Sequence, residues 1–110
     1  MQQQETVIRQ VRLGFDTIRS LKLFTIDHDT TQRQLVNDAL QWFLEQRESK
    51  DQVDYLPSPK EGKKVSLYIK KALAEDTRQL AERDRTYQNR VLYTGLLLYL
   101  KHAQTIYTEQ

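Results

Sequence analysis

The chain contains no cysteine among its 110 residues, which excludes disulfide bonds and thiolate metal sites. A reducing compartment, namely the cytoplasm, is therefore expected. The first five residues, Met1–Glu5, have neither the basic start nor the apolar run of a secretory signal peptide. The longest apolar run, Leu96–Leu100, is far too short to cross a bilayer, so no membrane association is predicted.

Glycine and histidine are also scarce, and this scarcity argues against catalysis. The three glycines form no phosphate-cradling loop, and His28 and His102 are the only histidines. The segment Asp27-His28-Asp29 has residue types that ligate metals, but adjacent residues in a turn rarely converge on one ion. A polar turn is the simpler interpretation. We predict no enzyme activity, no cofactor, no metal site and no small-molecule ligand.

What is present is the composition of one soluble globular domain covering residues 1–110. Apolar residues make up 38% of the chain and charged residues 29%, which is not the profile of a disordered or fibrous protein. The net charge is +2 and the isoelectric point is about 8.9. These values are compatible with nucleic-acid binding, but the location of the charges decides more than their sum.

The pattern of residue classes repeats when 56 is added to a residue number, without any gap. Val11 and Leu13 correspond to Leu67 and Ile69, and the stripe that begins at Leu35 corresponds to the one that begins at Val91. Such a match predicts a duplicated supersecondary unit. The division we predict is a first unit at 8–47, a linker at 48–62 that contains both prolines, and a second unit at 63–103.

Each unit begins with an alternating segment, which predicts a strand with one buried face. Residues 9–15 place Val11, Leu13 and Phe15 on that face, and residues 65–70 place Val65, Leu67 and Ile69 there. A helix, a polar turn and a second helix follow in each unit. Asp16 is the expected cap of the first helix. Thr31 with Gln34 forms a capping-box pattern at the next one, and Thr30 is a competing cap.

A lone strand has two open edges, so we expect the two strands to pair antiparallel and the four helices to cover their apolar face. The predicted fold class is mainly α with one two-stranded antiparallel ribbon, in the order β-α-α-linker-β-α-α. The opposite face of the ribbon stays polar and exposed. A two-stranded ribbon is one of the few protein elements that fits the major groove of B-DNA.

These segments, from Val11 to Leu44 and from Val65 to Leu100, resemble the ribbon-helix-helix fold of the Arc, MetJ and CopG repressors. The resemblance implies a tandem, single-chain pseudo-dimer, similar to TraY-type relaxosome proteins of conjugative plasmids. It also implies a bacterial cytoplasm, with the chain encoded by a bacterium, a plasmid or a phage. The glycine usual in the turn between the helices is replaced here by Asp29 and Arg85.

The resemblance implies that residues on the exposed ribbon contact base edges, namely Gln10, Arg12, Ser66, Tyr68 and Lys70. It also implies phosphate contacts at the start of each final helix, by Thr31, Gln32 and Arg33 and by Tyr87, Gln88 and Asn89, together with Lys63 and Lys64. The alternative is that the ribbon residues are ordinary solvated side chains and that the helix-start residues serve only as caps.

The expected function is sequence-specific binding of double-stranded DNA, with action as a transcriptional repressor. Two alternatives stay open: a relaxosome or plasmid-maintenance protein that binds an origin of transfer, and a protein-interaction module that uses the ribbon only for assembly. Because the two strands differ, we expect asymmetric subsites in each molecule, arranged as direct repeats in longer operators, with self-association on DNA left open. Trp42 lies off the buried stripe and would cover either the second unit or an intermolecular contact.

Overall fold

Two strands and four helices follow one another in the order β-α-α-β-α-α. The computed structural model describes residues 5–48 and 53–108, with side chains as far as residue 103. The elements are β1 (Thr6–Leu13), α1 (Phe15–Asp27), α2 (Gln32–Glu48), β2 (Lys63–Lys70), α3 (Lys71–Arg83) and α4 (Gln88–Thr108).

The predicted antiparallel pairing of two strands from one chain is confirmed. Strands β1 and β2 form a two-stranded sheet in which Gln10 lies opposite Ser66 and Val11 opposite Val65. Because successive side chains alternate between faces, every second residue enters the core. The fully buried strand residues are Val11, Leu13, Leu67 and Ile69.

The predicted limits of the first strand are wrong. Strand β1 begins at Thr6 and ends at Leu13, whereas Phe15 is the first residue of α1 and is 65% exposed. Val7 takes the inward place that had been expected of Phe15, and it lies opposite Ile69. The chain leaves the ribbon two residues earlier than predicted because Gly14, in an extended conformation, turns it into the helix.

The helices repeat with the predicted spacing of 56 residues. Helices α1 and α3 both have 13 residues, and α2 and α4 begin at Gln32 and Gln88. Their apolar stripes meet the inner face of the ribbon and form one core. The buried stripe residues are Leu35, Val36, Ala39, Leu40 and Phe43 in α2 and Val91, Leu92, Leu96 and Leu100 in α4.

The expected caps have different outcomes. The Thr31 hydroxyl accepts a hydrogen bond from the Gln34 amide at 3.1 Å, so Thr31 is the cap of α2 and Thr30 is not. The Gln34 side chain donates to Asp38 rather than back to the cap. The prediction for Asp16 is wrong, because Asp16 lies inside the first turn of α1 and Gly14 precedes the helix without a side-chain cap.

Both interhelical turns use a residue in the left-handed region at the same position of the repeat. Asp29 has φ 49° and Arg85 has φ 54°. The amide of the following threonine then donates back to the helix, from Thr30 to Thr25 and from Thr86 to Ala81. This closure is typical of helix C-termini, where glycine is the residue favoured.

The part of the predicted linker that the structure describes is packed against both halves of the chain. Val53 and Tyr55 contact a core cluster that contains Phe43 and Val91. The Leu56 amide donates to the Thr94 hydroxyl at 2.8 Å. Glu48, the first residue of the predicted linker, is the last residue of α2. Residues 49–52 of the linker lie outside the described residues.

A polar cluster, which we call the clasp, joins three separate segments through Arg47, Tyr55 and Asp84. The Asp84 carboxylate accepts hydrogen bonds from the Arg47 guanidinium at 3.0 Å and from the Tyr55 hydroxyl at 2.5 Å. The Arg47 side chain is only 4% exposed. The clasp therefore ties the end of α2 and the intervening segment to the turn after α3.

The predicted fold class, a tandem ribbon-helix-helix pseudo-dimer, needs correction. Helix α1 buries Leu21 alone, whereas α3 buries five residues. The buried Asn37 of α2 corresponds to Tyr93 in α4. What stands is a mainly helical chain with one two-stranded antiparallel sheet and four helices, compatible with a tandem β-α-α order. The division into units at 8–47 and 63–103 stays a prediction.

Trp42 covers the second half of the chain. Its ring lies edge-on to Tyr99, with centroids 5.7 Å apart, and stacks on His102 at 5.0 Å. In the turn after α1, His28 stacks on Phe24 at 4.0 Å. Within the described ranges, none of the helices combines the length and the apolar character that crossing a bilayer requires.

Candidate nucleic-acid interface

The side of the ribbon that points away from the helices, here called the outer face, consists of four cross-strand pairs. The pairs are Thr6–Lys70, Ile8–Tyr68, Gln10–Ser66 and Arg12–Lys64. Residues directly opposite one another in an antiparallel pair have Cβ atoms about 5 Å apart, so each pair forms one continuous patch. All five predicted base-contact residues lie on this face.

The outer face carries three cations and no carboxylate among its eight residues. Arg12 and Lys64 lie opposite one another at one end, and Lys70 lies at the other end. Lys64 had been predicted as a phosphate contact, and the structure places it beside the base-contact residues instead. Lys63 is exposed at the end of the ribbon, opposite Leu13. The face therefore presents a positive surface of the kind that attracts phosphates.

Arg12 is held in place by the turn that leads into β2. Its guanidinium donates to the Gly62 carbonyl at 3.2 Å, which uses one of five N–H donors and leaves the others for a ligand. Gly62 has φ 131°, and a Cβ there would lie 2.0 Å from the Leu13 carbonyl oxygen. Only glycine permits the backbone to approach Leu13 so closely. Gly62 thereby brings its carbonyl, which accepts the Arg12 hydrogen bond, to the end of the ribbon.

Asn37 holds the free edge of β2, next to Tyr68 and Lys70. Its side-chain amide donates to the Tyr68 carbonyl at 2.9 Å and accepts from the Lys70 amide at 2.9 Å. The same amide group also donates to the Arg33 carbonyl in α2. An edge strand has unpaired backbone groups, and Asn37 satisfies two of them from a position only 4% exposed. Asn37 therefore fixes the position of the β2 backbone at Tyr68 and Lys70, whose side chains lie on the outer face.

The first turns of α2 and α4 reach the ribbon from its two sides, α2 along β2 and α4 along β1. Arg33, in the first turn of α2, donates to the Thr6 hydroxyl, and Asn89, in the first turn of α4, donates to the Gln10 carbonyl at 3.3 Å. The predicted phosphate contacts at these helix starts are therefore beside the ribbon. Among them, Gln32 and Tyr87 are exposed and Gln88 is half-buried, while Thr31 caps α2. Helix N-termini favour anions through their amides and dipole.

The sequence predictions missed two residues of the outer face and the buried residue that holds its edge. Thr6 and Ile8 belong to the outer face, but the predicted strand began too late to include them. The signal was present, because the alternation of β1 continues back through Val7. Asn37 was missed for another reason: its partners are backbone atoms 31 and 33 residues away in the chain, which no local pattern reveals.

Comparisons with known proteins supply no relative for this surface. No family model matches the chain, and no curated protein or solved structure is significantly similar to it. The case for a function therefore depends on the geometry and chemistry of the outer face.

Proposed function

We propose that the chain binds double-stranded DNA by inserting the outer face of its ribbon into the major groove. The observation that carries this proposal is the outer face itself, an exposed two-stranded ribbon with three cations and no acid. An antiparallel ribbon of eight-residue strands is about 27 Å long, and the major groove is about 12 Å wide, so the groove admits it.

Side chains on the outer face supply the chemistry that base recognition needs. Arg12 offers paired donors suited to the O6 and N7 acceptors of guanine, and Gln10 offers the donor and acceptor suited to adenine. Ser66 and Tyr68 add hydroxyls that accept or donate. Lys70 completes the set at the far end. Each well-formed contact with a base pair contributes about 1–3 kcal/mol of discrimination.

The helix starts and the lysines beside the ribbon are suited to hold the DNA backbone. The N-termini of α2 and α4 flank the ribbon, one along each strand, and amides at such positions bind phosphates. Lys63 and Lys64 add charge at the end of the ribbon. These contacts would set the position of the ribbon on the duplex, and the base contacts would set its sequence preference.

Occupation of a promoter would make such a protein a transcriptional repressor without any catalytic step, and we place this activity in the cytoplasm. The absence of cysteine supports a reducing compartment. Binding alone is then the whole activity, and its strength and salt dependence are the quantities to measure.

The test is a titration of a fluorescein-labelled duplex pool of random sequence, followed by anisotropy, between about 50 and about 200 mM salt. With roughly four cations at the phosphates, affinity should fall about a hundredfold over this range, because counterions are released on binding. Replacing Lys63 and Lys64 together by glutamine should reduce the slope of log affinity against log salt by about two.

The matched control removes two exposed charges from α1, with Arg19→Gln and Lys22→Gln. This variant should keep the wild-type slope. An equal loss in the control, or no binding at low salt, would contradict the proposal. In that case a protein-interaction module, which uses the ribbon only for assembly, would account for the fold.

A further inference from the structure

The outer face has an apolar patch that none of the expected contacts explains. Ile8 and Tyr68 lie directly opposite one another, and they are 54% and 45% exposed. An isoleucine on the exposed side of a ribbon leaves apolar surface in water that folding does not remove. Its neighbours on the outer face are Thr6, Gln10, Ser66 and Lys70, so the patch is isolated within a polar and cationic surface.

The repeat gives this patch a counterpart of opposite chemistry. Adding 56 to a residue number relates Ile8 to Lys64 and Arg12 to Tyr68, so the pair Ile8–Tyr68 corresponds to the pair Arg12–Lys64. Two equal halves would present the same chemistry at both positions. Here one position is apolar and the other is cationic, with the polar pair Gln10–Ser66 between them. The two ends of the outer face therefore differ in chemistry, and the two orientations of the ribbon on DNA are not equivalent.

We propose that Ile8 and Tyr68 bind the methyl group of a thymine, and that each molecule reads its site in one direction, from thymine to guanine. This rests on the proposed function. The 5-methyl of thymine is the apolar group on the edges of the bases in the major groove. Guanine presents the O6 and N7 acceptors there, which suit the donors of Arg12. A patch on a face that carries Lys70, Arg12 and Lys64 and no carboxylate fits an apolar group carried by a polyanion better than it fits a protein surface.

The register also fixes the spacing between the two base contacts. Ile8 and Arg12 are four residues apart on one strand, a distance of about 13 Å at roughly 3.4 Å per residue. Base pairs follow one another at about 3.4 Å along the DNA axis, and at a slightly larger interval along the groove. The thymine bound by the patch and the guanine bound by Arg12 should therefore lie about three to four base pairs apart.

The experiment begins by selecting a duplex from a random pool with the wild-type protein and then replaces each thymine of that duplex by deoxyuridine, one at a time. Deoxyuridine lacks only the methyl group, so no hydrogen bond changes. One replacement should weaken binding about three- to tenfold, as expected for loss of one buried methyl. That thymine should lie about three to four base pairs from a particular guanine. Replacing this guanine should weaken binding of the wild type but not of Arg12→Gln.

The variant Ile8→Ala identifies the protein partner of the methyl group. In this variant the same deoxyuridine replacement should have almost no effect, because the patch no longer contacts the methyl. Ile26→Ala is the control: Ile26 is 68% exposed on α1, and this variant should keep the full effect. Thermal melting of both variants checks that the fold is intact, as expected for exposed positions.

Two results would overturn the inference while leaving DNA binding in place. One is a selected site in which no deoxyuridine replacement weakens binding, or in which the effect persists in Ile8→Ala. The other is that Ile8→Ala selects the same DNA site as the wild type but sediments differently from it. The patch would then be a contact between copies of the chain. Failure to bind any duplex would instead remove the proposed function itself, and the inference with it.

Discussion

At the scale of single residues, the two interhelical turns place side chains where the backbone favours glycine. Asp29 and Arg85 both have positive φ, near 50°. A residue with a Cβ pays about 1–2 kcal/mol in this region, because the Cβ approaches the carbonyl oxygen. Aspartate tolerates the conformation better than arginine does, since its short side chain bonds locally. Arg85 is therefore the more strained of the two residues.

Replacing Arg85 by glycine should stabilise the chain by about 1 kcal/mol, because glycine adopts the left-handed conformation without that strain. Asp29→Gly should give a smaller gain. Urea denaturation followed by circular dichroism measures both values.

The control for this substitution is Gln79→Gly, at an exposed position inside α3. There glycine should destabilise by about 1 kcal/mol, since the backbone is in the right-handed helical region. A loss of stability in Arg85→Gly would mean that the turn does not hold the conformation described above.

At the scale of elements, the clasp adds polar contacts between α2, the intervening segment and the turn after α3, which the core cluster around Phe43 also brings together. Burial opposes ionisation of Asp84, but hydrogen bonds from Arg83, Tyr55 and Arg47 outweigh it and lower its pKa from 3.8 to about 2. Burial and the Asp84 hydrogen bond raise the pKa of Tyr55 to about 12. The clasp is therefore complete between about pH 4 and pH 10, with Asp84 ionised and Tyr55 protonated.

The clasp should make stability depend on pH in acid. A carboxyl with a lowered folded-state pKa stabilises the fold above its unfolded pKa, and that contribution is lost as pH falls through the folded value. Asp84→Asn should therefore cost roughly 2 kcal/mol at pH 7, and the difference from wild type should shrink between pH 4 and pH 2. Urea midpoints measured across this range provide the test.

Asp54→Asn is the control, since it removes an exposed carboxyl from the same segment of the chain. Its difference from wild type should be small and almost constant with pH. A constant difference for Asp84→Asn as well would show that the Asp84 carboxylate is not the ionised partner of the clasp.

The elements also show how far the sequence alone leads. Alternation at Val11, Leu13, Val65, Leu67 and Ile69 predicted the pairing of two strands, because local periodicity reports which side of a strand is buried. The spacing of 56 also holds for the helices, since α1 and α3 begin 56 residues apart and so do α2 and α4, although α1 begins before its predicted cap Asp16. The clasp and the Asn37 contacts were not predictable, because they join residues 29 to 37 positions apart through side chains. Their partners are set by the fold as a whole.

At the scale of the whole molecule, the two halves have diverged in what they present. The four helices and the clasp lie on the inner side of the ribbon, and the outer face is left open. On that face one half contributes Ile8 and Arg12 where the other contributes Lys64 and Tyr68. One molecule therefore offers one directional surface.

The most direct test of this account asks which side of the chain touches DNA. Because the chain has no cysteine, Ser66→Cys and Ser20→Cys each contain a single thiol, one on the outer face and one on α1. Both are labelled with the same photo-crosslinker and irradiated with a random-sequence duplex pool at low salt. We expect crosslinking from position 66 and none above background from position 20. Equal crosslinking from both positions, or crosslinking from position 20 alone, would contradict the account.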